Sequence, residues 1–374
     1  MRANRWGILV GVAAMWPAMV WSAVKGITGD LHQKRAGEVT HYLEENFRDR
    51  KTGYYSDKPG ETQPATVWGC GIMFSALAGG ARHDDAYERE MRKYFKVLDH
   101  YWDEGVKIPG YEPLPTGGGG NDKYYDDNAW MVLTFLEAYD ITGDKRYLKR
   151  AEETQEFVLS GWDDQLGGGI WWHEGHKGGS KNTCANAPAA LGCYRLAQYS
   201  DPEKAKEWVE WGNRITAWTV KQFQGDDLLF EDAVVVATGE ENRGKLTYNT
   251  ALMIRNFIAL YGITGEHAYW NEARRTADAA QSMIQGNGAY RDKWRWSHLQ
   301  VEADIEIYRL TGKKRYLKRA IETADHHYEE WKEKPSGEMI DVASLARELW
   351  LLADLETSAG RAFWERVDRW KKVK

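Results

Sequence analysis

Cysteine is scarce: the 374 residues contain three, Cys70, Cys184 and Cys193. So few cannot staple a chain of this length, the odd number leaves at least one free thiol, and no CxxC pair or Cys/His metal spacing occurs. An excess of positive charge is also missing. Lys and Arg number 50 against 56 Asp and Glu, a net charge of −6 at pH 7. That balance lacks the basic stripe needed to neutralise phosphates, so nucleic acid is not an expected partner. Long apolar runs are confined to the start. Arg2 and Arg5 precede an uncharged stretch from Trp6 to Trp21, followed by Ser22-Ala23. This is the layout of an export signal, and about 16 residues fall short of the roughly 20 of a membrane span. Trp21 departs from a small-x-small cleavage pattern, so residues 1–23 read as a signal peptide or an N-terminal anchor, ahead of a single domain over 24–374. The protein is expected to be secreted and monomeric, with no integral membrane domain beyond that segment. The end, Arg369 to Lys374, has no apolar tail for a lipid anchor.

Aromatic residues are abundant, with Trp 19 and Tyr 20, more than core packing usually requires. Their flat apolar faces and polar tips suit half-wet surfaces, and sugar rings are one ligand that uses them. Disorder is excluded by a hydrophobic content of 43%.

Repeats organise the chain. From Tyr139 it places Thr142-Gly143, Tyr147, Ala151 and Thr154; the same offsets recur from Tyr261 and from Tyr308. Each Thr-Gly falls where one helical pattern stops and another begins, and Gly there can close a helix in the left-handed conformation. Weaker junctions lie at Gly79-Gly80 and near Pro202. Such spacing indicates stacked helix hairpins. Segments near 31–48, 84–103, 144–160, 202–222, 266–284 and 313–332 are amphipathic and charged, as outer helices should be. Those near 66–80, 125–140, 182–198, 247–262, 295–309 and 340–355 are richer in small and apolar residues and read as inner helices. Six of each, alternating, predict an all-α fold, a closed (α/α)6 barrel, since an open stack would leave the inner helices' ends uncapped.

Outer-to-inner connections run about 8 to 24 residues, against about 3 to 5 for the inner-to-outer turns. The long ones gather on the face where inner helices begin, so a cleft is expected there, walled by Trp102, Tyr111, Trp162, Trp171, Trp172, Phe230 and Tyr290. On that face Asp126 and Asp127 open the second inner helix. Taken alone, they are caps that suit the helix dipole. A cap needs one Asp, however, and here two stand between Tyr125 and Trp130. Retaining glycosidases need two carboxyl groups roughly 5 to 5.5 Å apart, a separation that neighbours can reach. Crowding also splits their pKa values, so that one stays protonated.

Tyr124-Tyr125-Asp126-Asp127-Asn128-Ala129-Trp130 resembles the catalytic motif of glycoside hydrolase family 76, the endo-α-1,6-mannanases and related fungal cell-wall enzymes. Gly167-Gly168-Gly169-Ile170-Trp171-Trp172 with Lys181-Asn182 and Asn186, and then Thr247-Tyr248-Asn249, are similar to two further motifs of that family, and the likeness runs over about residues 31 to 355. It implies an (α/α)6 barrel and a retaining mechanism on α-1,6-mannan or manno-oligosaccharides without a metal or other cofactor. Asp126 would be the nucleophile and Asp127 the acid/base. Trp68, Tyr125, Asn128, Trp171, Trp172, Asn186, Tyr248 and Asn249 would hold the substrate. The sequence departs from the family at Thr250, where Gln is frequent, and at Pro188 within the third inner helix. Both bear on subsite contacts more than on chemistry.

Other residues carry plainer readings. Asp163-Asp164 is a rival pair, but its place before Gly167 suits a turn. His173-Glu174-Gly175-His176 lacks the i, i+4 histidines of a zinc helix. Asp226-Asp227 with Glu231-Asp232 has the chemistry to bind sugar hydroxyls or calcium, but a solvated loop is the favoured reading, and His326-His327 reads as surface. The run Gly117–Gly120 lacks the Lys-Ser/Thr of a phosphate loop and gives freedom to bend. A transglycosylase with the same covalent intermediate stays open, as does a non-catalytic glycan-binding protein. Six-hairpin toroids also include unsaturated-uronide hydrolases and sugar epimerases, and for an epimerase only His298 is available as a poised histidine.

Overall fold

The computed structural model describes residues 30–117, 120, 122–175 and 179–367. The segment 1–23, His176 and the C-terminal end at Arg369–Lys374 lie outside them.

Among the described residues the chain is an (α/α)6 barrel. The inner helices are α2 (Val67–Ala81), α4 (Tyr125–Thr142), α6 (Thr183–Leu196), α8 (Thr247–Thr264), α10 (Trp294–Thr311) and α12 (Met339–Glu356). Each packs on the next and α12 packs on α2, which closes the ring. They are buried nearly all round, as their small and apolar residues require. The outer helices, α1 (Leu31–Asn46), α3 (Asp85–Leu98), α5 (Lys145–Ser160), α7 (Pro202–Phe223), α9 (His267–Ala279) and α11 (Lys314–Glu333), bury one face each. The sixth hairpin is assembled from both ends of the chain, for α1 is the outer helix that packs on α12. A further helix, α13 (Ser358–Val367), packs against α12 and has no counterpart in the sequence pattern.

The Thr-Gly repeat has a direct cause. Gly143, Gly265 and Gly312 have φ of 65°, 72° and 69°, and each donates its N–H to the Tyr carbonyl four residues back. The preceding Thr works in both directions. Thr142 Oγ1 donates to the Ala138 carbonyl at 2.8 Å and accepts from the Asp144 N–H at 3.1 Å; Thr264 and Thr311 repeat both bonds. Orphan carbonyls of one helix and the entry to the next are thereby satisfied in three residues.

A second repeat was not legible in the sequence. Five outer-to-inner connections begin with a two-residue β clip: Arg48 with Tyr55, Trp102 with Tyr111, Trp162 with Ile170, Gln224 with Phe230, and Ile284 with Tyr290. The second member is always a buried large apolar or aromatic residue. Tyr111, Phe230 and Tyr290, expected as cleft walls, are therefore anchors that pin loop bases into the barrel. Two small antiparallel sheets elaborate the loops. One joins β1 (Trp102–Asp103) to β2 (Gly110–Tyr111); the other, in the order β3-β4-β5, joins Ser180–Asn182, Ala233–Val235 and Glu241–Asn242. The second sheet ties the loop entering α6 to the loop entering α8.

Candidate active site

Helix α4 begins at Tyr125 after an extended Tyr124 whose side chain makes no cap. Neither Asp126 nor Asp127 is the N-cap. Both lie in the first turn, where the helix dipole favours a carboxylate. Their surroundings differ. Asp126 Oδ1 accepts the N–H of Asp127 at 2.9 Å, while Oδ2 accepts Trp172 Nε1–H at 2.9 Å and the Cys184 thiol at 3.4 Å. Among the described residues no donor reaches the Asp127 carboxyl. Burial pushes Asp126 up from the ordinary carboxylate range, and its three donors oppose that rise. Burial and then the charge of Asp126 push Asp127 well above it. The pair can thus hold one charge and one proton, as acid and nucleophile chemistry needs.

The hairpins share a register that explains which residues meet. The second residues of consecutive inner helices are Trp68, Asp126, Cys184 and Tyr248. Cys184 follows Asp126 in this ring and contacts both it and Tyr248, whose hydroxyl burial pushes well up. The fourth residues turn the other way and clasp loop backbone. Asn128 accepts the Tyr111 N–H at 2.7 Å and donates to the carbonyls of Tyr111 and Tyr124 at 2.9 and 2.7 Å. Asn186 does the same with Ile170 and Asn182, at 2.8, 2.9 and 2.9 Å. Thr250 Oγ1 accepts the Phe230 N–H at 3.2 Å.

The loop that delivers Trp172 is built around Lys181. This buried ammonium donates to Asp163 Oδ1 at 2.6 Å and to the carbonyls of Asp163, Gln165 and Gly168. The Gly run is required by contact: a Cβ on Gly168 would lie 2.5 Å from the Trp162 ring, and one on Gly169 would lie 2.5 Å from Trp218. Both also have positive φ, at 137° and 95°. The tandem indoles then divide. Trp171 is 2% exposed, with Nε1 bonded to Asp163 Oδ2 at 2.8 Å; Trp172 is 38% exposed. Past it, the Trp172 carbonyl accepts the Tyr125 N–H and the Lys123 carbonyl accepts the Glu174 N–H, which lashes this loop beside the acid pair.

Several assignments from the sequence change accordingly. Tyr125 is buried and stacks on Phe157 at 5.0 Å between inner and outer helix. Asn128 and Asn186 spend their amides on peptide groups, and Trp171 is wall packing. These four have structural partners in place of an open face toward substrate. Trp172 keeps an open face, and Trp68 is half-buried. Asn249 is buried, its amide 3.4 Å from Asp232. Asp163 anchors the Gly loop, in keeping with a turn role. Asp232 is not a solvated loop residue. The second sheet brings its backbone against α6, where its carbonyl accepts the Thr183 N–H at 2.8 Å, and burial pushes its carboxyl up. Cys184 was missed; aligning the hairpins on their second positions would have exposed it. His327 is buried against Glu348 at 3.0 Å, so only His326 remains at the surface. His298 is fully buried, and burial together with Arg347 pushes it well below the ordinary histidine range. Among the described residues no His/Cys/Asp/Glu cluster could hold a metal ion, and no helix is long and apolar enough to cross a membrane.

The sequence model of glycosyl hydrolase family 76 matches residues 32–293. A family 76 α-mannanase of Bacteroides thetaiotaomicron superposes with a TM-score of 0.81 at 22% identity, over 94% of this chain and 99% of that one. An α-1,6-mannanase of Salegentibacter sp. HEL1_6 gives 0.74 at 20%, over 87% and 100%. An inactive variant of the latter, with two adjacent aspartates changed to asparagine and α-1,6-mannotriose bound, gives 0.73 at 20%, over the same shares. A search of curated proteins gives no match.

Proposed function

Since the chain belongs to glycosyl hydrolase family 76, we propose that it cleaves α-1,6-mannosidic bonds within mannan with retention of configuration. The observation that carries this reading is the unequal treatment of two adjacent carboxyls at the mouth of the barrel. Among the described residues Asp126 receives three donors, and Asp127 none. The inactive Salegentibacter variant supports it, because adjacent aspartates were the residues replaced there.

In the proposed reaction Asp127 gives its proton to the departing glycosidic oxygen while ionised Asp126 attacks the anomeric carbon. The C–O bond to the leaving sugar breaks as the bond to Asp126 Oδ forms. Asp127, now a base, takes a proton from water, which opens the mannosyl ester and regenerates Asp126. Trp172 offers the open indole face for a sugar ring, and Trp68 and Tyr248 stand at the second positions of their own inner helices. Asn249 acts through Asp232. The chain works as a monomeric single domain outside the cytoplasm, exported by residues 1–23 or anchored through them.

Incubation with unbranched α-1,6-mannan tests the reading: oligosaccharides with an α anomeric proton in the earliest NMR spectra are expected. A β product would replace retention by inversion. Oligosaccharide release that gives way to longer products at high acceptor concentration would identify a transglycosylase. No release from any mannan would reject the assignment.

A further inference from the structure

The acid pair leaves one group unexplained. Cys184 lies 6% exposed at the second position of α6, and its thiol points at the same Asp126 oxygen that Trp172 Nε1–H reaches. Two donors from separate elements, a loop indole and an inner-helix thiol, converge on Oδ2. The thiol also lies beside Tyr248 of α8.

We infer that Cys184 is a positioning residue: with Trp172 it clamps one oxygen of Asp126 and so assigns the charge of the acid pair to Asp126 and the proton to Asp127. This rests on the glycosidase reading for its consequence, though the clamp is a property of the folded chain.

The surroundings agree. Facing Asp126 are Asp127 on its own helix, Tyr124 before it, Cys184 on α6 and Tyr248 on α8; Asp232 acts on Cys184 and Tyr248, and Cys70 of α2 faces Asp127. None of these is a cation. A hydrogen-bond donor is therefore what the structure offers to distinguish the two carboxyls, and donors to an ionised oxygen are the strong kind. Burial, then the charges of Asp126 and Asp232, push the Cys184 thiol well up, so it stays a neutral S–H at working pH and cannot add a third negative charge. The same reason makes it unreactive as a nucleophile.

The experiment compares Cys184→Ala and Cys184→Ser with wild type. Loss of the thiol should raise the acidic limb of the kcat/KM profile by about half to one pH unit, because Asp126 loses a donor to its charged form. It should lower kcat about tenfold with KM within about twofold. Cys184→Ser, which restores a donor, should return the limb to its wild-type position. Superimposable profiles for Cys184→Ala and wild type, or equal defects in both variants, would overturn the proposal. A second readout is independent of substrate. In protein labelled with 13C at the Asp carboxyls, the lower-titrating resonance of the pair, assigned through Asp126→Asn, should move up in Cys184→Ala. If it moves while no mannan is cleaved, the functional reading fails and the clamp stands; if it does not move, the clamp fails.

Discussion

Asn128 and Asn186 hold the same post in successive hairpins. Each is the fourth residue of an inner helix, and each pairs its side-chain amide with the backbone of a buried loop residue, Tyr111 or Ile170, as one peptide pairs with another. The loops that flank Asp126 are therefore fastened from below by side chains of the barrel itself.

Replacing either asparagine with alanine should destabilise the fold by about 2 to 4 kcal/mol, since a buried N–H and C=O lose their partner at once. Urea unfolding measures this. A loss below about 0.5 kcal/mol would show that the loops carry themselves.

For the acid pair, activity should be bell-shaped in pH. It should fall on the acid side as Asp126 takes up a proton, and on the alkaline side as Asp127, raised by burial and by its neighbour's charge, gives one up. Asp127→Asn should abolish the alkaline limb and cost about 10² to 10⁴ in kcat on mannan, with a smaller loss on an aryl mannoside whose leaving group needs no proton. Equal losses on both substrates would deny Asp127 the role of acid.

Lys181→Met should remove about 3 kcal/mol of stability, at the lower end for a broken buried pair because Asp163 is partly exposed. It should also lower activity through Trp172, whose loop Lys181 organises. Denaturation and kcat can be read on the same protein. Full activity with the expected stability loss would separate the Gly loop from the site.

Ring closure should be sensitive to pH. His32 of α1 lies between Glu356, which ends α12, at 2.5 Å and Asp325 of α11 at 3.2 Å. Burial works against its charge, but the two carboxylates outweigh it and hold His32 at about 9. Folded above unfolded in pKa means that the stabilisation is complete below about pH 6.5 and is lost as pH rises to about 9, on the order of 3 kcal/mol. His32→Gln should flatten stability over that window; an unchanged slope would place the pH dependence elsewhere.

Helices and hairpins were legible because their signals are local. Thr142-Gly143 specifies its turn through bonds that span a few residues, and the inner helices advertise burial on all sides by composition. The Asp126-Asp127 pair was visible for the same reason. What the sequence could not reveal was direction. Trp171 and Trp172 are identical in type and adjacent, yet Lys181 and Asp163 draw one inward and the strand-like path beside Lys123 turns the other out. Asn128 and Asn186 resemble sugar-binding amides until the peptide groups they clasp are in place. Cys184 looks like one more small residue on an inner helix.

From the sequence alone came the six-hairpin barrel, the face bearing the cleft and the acidic pair on it, all consequences of local periodicity and turn chemistry. The tertiary structure decided which aromatics stay open, which polar side chains are consumed in holding loops, and which oxygen of Asp126 is held by an indole and a thiol. Those outcomes depend on contacts between residues tens of positions apart, brought together when the ring closes, and no spacing along the chain encodes them.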